Sequence, residues 1–191
     1  MIVIIDFGSQ FNQLIARRVR ECRVYCQIEP PTVTVEEIRS LAPEGIILSG
    51  GPASIYEEKS PRVNPGIFDL GIPVLGICYG MHFMVDALGG KVKKAEKREY
   101  GFAALSAKAE KDLFTGIGKE TVTWMSHGDS IESLPKGFSI TATTANTPVA
   151  AMANHQKRFY GVQFHPEVEH TVKGRKIIRN FLFDICGCKA S

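Results

Sequence analysis

"IPVLGICYGMHFMVDAL", residues 72–88, changes its periodicity midway. Up to Ile77 it is an apolar run with β-branched residues, the pattern of a strand buried on both faces. Beyond it, Met81, Met84, Val85 and Leu88 recur at helical spacing. The junction is "GICYG" (76–80), a cysteine between two glycines. A buried strand that turns directly into a helix is the repeating unit of an α/β fold.

Working outward, the unit recurs. "IVIID" (2–6) reads as a buried strand, and the segment after it places Phe11, Leu14, Ile15, Val19 and Cys22 on one helical face. "VYCQI" (24–28) is a second strand. "TVEEIRSL" follows as a short helix, with Thr34 as N-cap and Glu37 three residues on in a capping-box pattern. "GIILSGGP" (45–52) is a third strand running into a glycine-rich loop. After about residue 90 the pattern shifts to short strand-like pieces separated by turn residues: "EYGFAALSA", "ETVTWMSH", "FSITATT", "PVAAMA" and "RFYGVQF". A helical stripe closes the chain in "GRKIIRNFLFDI", through Ile177, Ile178, Phe181, Leu182 and Ile185. The expectation is α/β: a mostly parallel central sheet flanked by helices, with an antiparallel or mixed extension in the C-terminal half. No repeat or long linker interrupts residues 1–191, which read as a single domain.

Composition narrows the function classes. Hydrophobic residues make up 44% and charged residues 23%, ordinary for a globular protein. A net charge of +3 without long basic runs predicts neither nucleic acid nor an anionic membrane as partner. No apolar stretch is long enough to span a bilayer, and the strand-like start "MIVIID" is no signal peptide, so the cytoplasm is the expected location. Five cysteines (22, 26, 78, 186, 188) make an odd count that argues against a disulfide framework, and "CGC" has the wrong spacing for a zinc knuckle.

Three elements carry chemistry. Gly-x-Cys-x-Gly at a strand-to-helix turn has the form of a nucleophile elbow, which lifts Cys78 above the carboxyl edge of the sheet. The N-terminus of the following helix favours thiolate over thiol; the bland alternative is a buried space-filling cysteine. "YGVQFHPEVEH" (160–170) sets His165 and Glu167 on one side of an extended segment, with Pro166 restraining the backbone between them. A carboxylate there selects the imidazole tautomer and leaves the other nitrogen for a thiol. Glu169 and His170 complete an acidic/His cluster, but no evident ligand set follows, and no metal is expected. "LSGGP" (48–52) offers bare backbone N–H groups to a developing oxyanion, without the spacing of a phosphate-binding loop.

Cys78 in "GICYG", "LSGGP" before it and "HPE" after it together resemble the class I glutamine amidotransferases, which have a flavodoxin-like sheet. The strings "IIDFGSQFNQLIARRVRE", "EGIILSGGPASIYEEKSPR", "PVLGICYGM", "WMSHGD", "YGVQFHPEVEHT" and "RNFLFDICGC" resemble the glutaminase part of GMP synthetases. The resemblance implies a catalytic triad of Cys78, His165 and Glu167, acting on the side-chain amide of L-glutamine through a γ-glutamyl thioester. It implies an oxyanion hole from the N–H groups of Gly51 and Tyr79. Substrate contacts would come from Gly50, Gly51, Pro52, His82, Ser126, His127 and Asp129. It implies no cofactor in this domain, with ATP and Mg used by an ATP-pyrophosphatase partner, domain or subunit, that converts XMP to GMP. "DFGSQ" and "FDICGC" look more like the single-chain form, so the expectation is an N-terminal domain of a longer enzyme and a poor glutaminase in isolation. The alternatives are the glutaminase of another amidotransferase or a γ-glutamyl hydrolase-like cysteine hydrolase. One departure stands out: His82 occupies a position where the family usually has glutamine. It lies one helical turn from Cys78, with Asp86 a further turn on as a pairing partner and weaker glutamine binding as the expected result.

Overall fold

The computed structural model describes residues 1–191. All nine strands join one sheet in the order β2-β1-β3-β4-β9-β8-β7-β5-β6. The parallel half is β1 (Ile2–Ile5), β2 (Cys26–Glu29), β3 (Gly45–Leu48), β4 (Val74–Ile77) and β9 (Phe159–Val162). The antiparallel half is β5 (Lys91–Ala107), β6 (Glu120–Ser133), β7 (Ser139–Thr143) and β8 (Ala151–Asn154). β9 joins them, pairing parallel with β4 and antiparallel with β8. The expected mixed extension is thus present, and its last strand returns to the centre of the sheet.

The unbroken apolar runs are explained by burial on both faces. Successive side chains alternate across a strand, so Ile2, Ile4, Ile47, Leu75 and Ile77 enter one core of 29 buried residues. Val3, Ile5, Ile46, Leu48 and Val74 enter the other, of 21. Helices α1 (Asn12–Glu21) and α4 (Gly174–Arg179) cover the first face; α2 (Val35–Leu41) and α3 (Tyr79–Ala87) cover the second. Thr34 caps α2, its hydroxyl oxygen accepting from the Glu37 N–H at 3.1 Å.

Several elements differ from the sequence reading: β2 begins two residues later than "VYCQI", and β6 runs on to Ser133 past "ETVTWMSH". α3 is buried from Tyr79 through Val85 on every side, not along one stripe, because Phe7, Phe68 and the 52–70 loop cover the face turned from the sheet. β5 begins at Lys91, eight residues before "EYGFAALSA" suggests. Its first half is charged and largely exposed, so apolar alternation could not reveal it, and a register shift between Lys94 and Glu99 separates the halves. The final helix is α only to Arg179 and continues as a π-helical turn, Asn180–Ile185. There the buried Asn180 amide donates to the carbonyls of Leu113 and Thr115 at 2.8 and 2.9 Å.

Candidate active site

The loops leaving β1, β3, β4 and β9 all open at the carboxyl edge of the parallel strands, where open α/β sheets bind ligands. Together with β5 and β6 they line a cleft of about 750 Å³ that contains Cys78 and His165.

Cys78 ends β4 with φ 51° and ψ −109°, a conformation L-residues rarely adopt. Its own N–H donates to Val162 O at 2.8 Å, which ties the strained turn to β9. The flanking glycines are needed for close approach. A Cβ on Gly76 would stand 2.7 Å from the Gly80 carbonyl oxygen, and one on Gly80 would stand 2.3 Å from that of Leu48. The turn therefore packs backbone against backbone, and the sulfur is directed at the cleft. As the first helical residue, Tyr79 has an N–H with no intrahelical acceptor. The N–H of Gly51 is likewise free of protein acceptors. Gly51 is pressed onto the loop after β1 so tightly that a Cβ would fall 2.3 Å from Phe7 O.

His165 follows β9 by three residues and is fixed at both ends of its backbone. Its N–H donates to Trp124 O at 3.1 Å, and its carbonyl accepts from the Thr171 hydroxyl at 2.7 Å. Its Nδ1 meets Glu167 Oε2 at 3.2 Å, which leaves Nε2 for the thiol. Glu167 is 0% exposed; its Oε1 has no partner, and its carbonyl accepts from Arg18 Nε at 2.9 Å. Burial alone would pull the His165 pKa down. The Glu167 charge overcomes it, aided by the hydrogen bond to Glu167 and by the neighbouring Cys78 sulfur, and holds the imidazole's pKa up at about 10. Cys78 and His165 converge on Gly50, where a Cβ would lie 3.6 Å from Cys78 Cβ and 3.2 Å from His165 Cε1.

The structure brings most of the other expected residues to the same cleft: Gly51, Pro52, Tyr79, His82, Ser126, His127 and Asp129 all line it. Gly50 does not. It is buried behind Cys78 and His165, a spacer under the site and not a wall of it. His82 does not pair with Asp86, which meets Arg62 at 2.7 Å on the outside; the imidazole turns inward to Gln163 at 2.7 Å. His127 also faces inward. Its Nδ1 donates to Asp129 O at 2.7 Å, and its Nε2 lies 3.3 Å from Thr147 Oγ1. His170 turns instead to Trp124, the two rings tilted by 40° with centroids 4.5 Å apart.

Several lining residues escaped the sequence reading. The Tyr56 hydroxyl donates to Asp129 Oδ1 at 2.7 Å, and Lys94, Arg98 and Tyr100 supply a basic and aromatic rim from β5. They sit in polar, turn-rich or charged stretches whose local pattern carries no signal of convergence.

This arrangement can be set against known proteins. A profile described as glutamine amidotransferase class-I matches residues 3–185. The chain belongs to the class I glutamine amidotransferase family. Among curated proteins, the glutamine-hydrolysing GMP synthase of Heliobacterium modesticaldum is 58% identical over 187 residues, which cover 98% of this chain and 36% of that protein. The corresponding enzyme of Alkaliphilus metalliredigens is 53% identical, over 99% of this chain and 37% of its own length. The amidotransferase chain thus spans little more than a third of these relatives. Among solved structures, a candidate GMP synthase subunit from Thermoplasma acidophilum superposes with a TM-score of 0.89 at 35% identity, covering 97% of this chain and 93% of the other. A glutamine amidotransferase from Thermotoga maritima, 20% identical with a TM-score of 0.69, shares the fold. No helix of this amidotransferase is long and apolar enough to cross a membrane.

Proposed function

We propose that this amidotransferase hydrolyses the side-chain amide of L-glutamine with Cys78, His165 and Glu167, and supplies ammonia for the conversion of XMP to GMP. The observation that carries the reading is Cys78 at a strained elbow, over a cleft whose other wall is the Glu167-steadied imidazole of His165. Relatives named as glutamine-hydrolysing GMP synthases, which match over nearly the whole chain at 53 to 58% identity, support the choice of product.

In this reading His165, its pKa raised by Glu167, already holds the proton of the Cys78–His165 pair, and the Cys78 thiolate attacks the amide carbon of glutamine. The carbonyl oxygen becomes an oxyanion that accepts from the N–H groups of Gly51 and Tyr79. His165 Nε2 then protonates the amide nitrogen, the C–N bond breaks, and ammonia leaves a γ-glutamyl thioester. Water attacks the thioester, giving a proton back to His165, and glutamate departs as the thiolate–imidazolium pair re-forms. Glu167 stabilises the imidazolium in both halves. Main-chain groups at Ser126 and His127, with the carboxylate of Asp129 held by Tyr56, receive the α-amino and α-carboxylate groups of the substrate, and Pro52 borders its side chain. The domain needs no cofactor of its own; ATP and Mg serve an ATP-pyrophosphatase partner that adenylates XMP.

The test is ammonia release from glutamine, alone and with the ATP-pyrophosphatase part of a GMP synthase, XMP and ATP·Mg. Release that rises on adding the partner and vanishes in Cys78→Ser supports the reading. Release untouched by Cys78→Ser, or cleavage of a γ-glutamyl peptide without hydrolysis of glutamine, refutes it.

A further inference from the structure

Gln163 is fully buried two residues before His165, on the bend where the chain leaves β9. There the two side chains flank the sulfur. Gln163 Nε2 lies 3.5 Å from Cys78 Sγ, and Gln163 Oε1 lies 2.7 Å from His82 Nε2. On a further side, the Ser126 carbonyl lies 3.7 Å from the sulfur and can take the thiol proton as acceptor. The amide of Gln163 has two faces of opposite character, one accepting and one donating. His82 decides which face meets the sulfur. With its proton on Nε2, the imidazole donates to Oε1, and the amide must then turn its NH2 toward Cys78. The reverse orientation would set a carbonyl oxygen against a developing thiolate. His82 is 3% exposed, and burial lowers its pKa, so the ring stays neutral near pH 7 and adds no competing charge.

We propose that Gln163 is a catalytic residue that donates an N–H to the Cys78 sulfur, and that His82 is a positioning residue acting through it. This rests on the reading of Cys78 as the nucleophile. It also gives the unusual histidine a role distinct from contact with glutamine: it selects the orientation of the amide that stabilises the attacking sulfur. A hydrogen bond to an ionised sulfur is charge-assisted and stronger than one to the neutral thiol, so its effect falls on the reactive form.

The probe is iodoacetamide, a small neutral alkylating agent, with modification at Cys78 followed by peptide mass spectrometry from pH 5 to 10. Gln163→Met keeps the volume and removes the N–H; His82→Leu removes the donor that orients the amide. Each is expected to slow alkylation at pH 7 about tenfold or more and to move the midpoint of the pH profile upward, the loss anticipated for one charge-assisted hydrogen bond. The double variant should be no slower than Gln163→Met alone, because His82 acts only through Gln163. His82→Gln, whose amide N–H can donate to Oε1, should recover most of the rate lost in His82→Leu. Cooperative thermal unfolding establishes that each variant is folded, and either single variant suffices if the other is not. A folded Gln163→Met with the parent rate and pH profile overturns the proposal. So does a His82→Leu chain whose KM for glutamine rises while alkylation is unchanged, since His82 would then be touching substrate. Should the parent chain hydrolyse no glutamine even with the ATP-pyrophosphatase part of a GMP synthase, XMP and ATP·Mg, while the alkylation pattern holds, the function reading fails and the relay stands.

Discussion

Glu167→Gln should change how stability depends on pH, and the change can be worked from the site. In the folded chain the His165 pKa is raised to about 10, against 6.5 for an unperturbed imidazole. A raised folded-state pKa contributes stability that is fully present below the unfolded value and is lost as pH climbs through the folded one. At about 1.36 kcal/mol per pH unit, the interval corresponds to roughly 4 to 5 kcal/mol, disappearing between about pH 6.5 and pH 10. Cys78 shares in that effect, so the carboxylate's part is somewhat smaller. Glutamine at 167 keeps the shape and removes the charge. Burial, which pulls the pKa down, is then opposed by little more than Cys78, and the folded imidazole becomes neutral at much lower pH. Urea unfolding of both chains at pH 6.5, 8, 9 and 10 measures the difference, in which tyrosine and lysine titrations common to both cancel. The stability advantage of the parent over Glu167→Gln should shrink by several kcal/mol across that range. A difference that stays constant from pH 6.5 to 10 would refute the claim that Glu167 holds His165 in its protonated form.

Three further outcomes follow from the packing and the cleft. Gly80→Ala forces a Cβ to within 2.3 Å of Leu48 O, whereas in Gly128→Ala the nearest atom is 3.6 Å away. By thermal unfolding the first should lose about 3 kcal/mol or more, and the second should stay within about 1 kcal/mol of the parent. Asn180→Leu leaves the Leu113 and Thr115 carbonyls without their buried donor, and denaturant unfolding should report a loss of about 2 to 4 kcal/mol. Tyr56→Phe removes the hydroxyl that steadies Asp129; steady-state kinetics should show KM for glutamine rising up to about tenfold with kcat nearly unchanged, as expected when ground-state and transition-state binding are lost together.

The central parallel strands were legible in the sequence because they are buried on both faces and so must be apolar throughout, as "IVIID", "GIILSG" and "IPVLGI" are. Cys78 was legible for a related reason: a nucleophile elbow needs glycines on both sides, and that steric demand is written into "GICYG". His165 and Glu167 do meet as their spacing of two suggested, but on a turn through Pro166 and not on the extended segment expected from the sequence. Tertiary structure alone decided the rest. Nothing local says that a charged strand from Lys91 curls Lys94 and Arg98 over the cleft, or that Tyr56 reaches Asp129 across 73 positions. The side-chain partners of His82 depended on which acceptor packing brought near, and buried Gln163 won over Asp86, a helical turn away but drawn outward to Arg62. Periodicity constrains the face a residue occupies; the group it meets there is set by segments distant in the chain, through contacts that only the closed sheet creates.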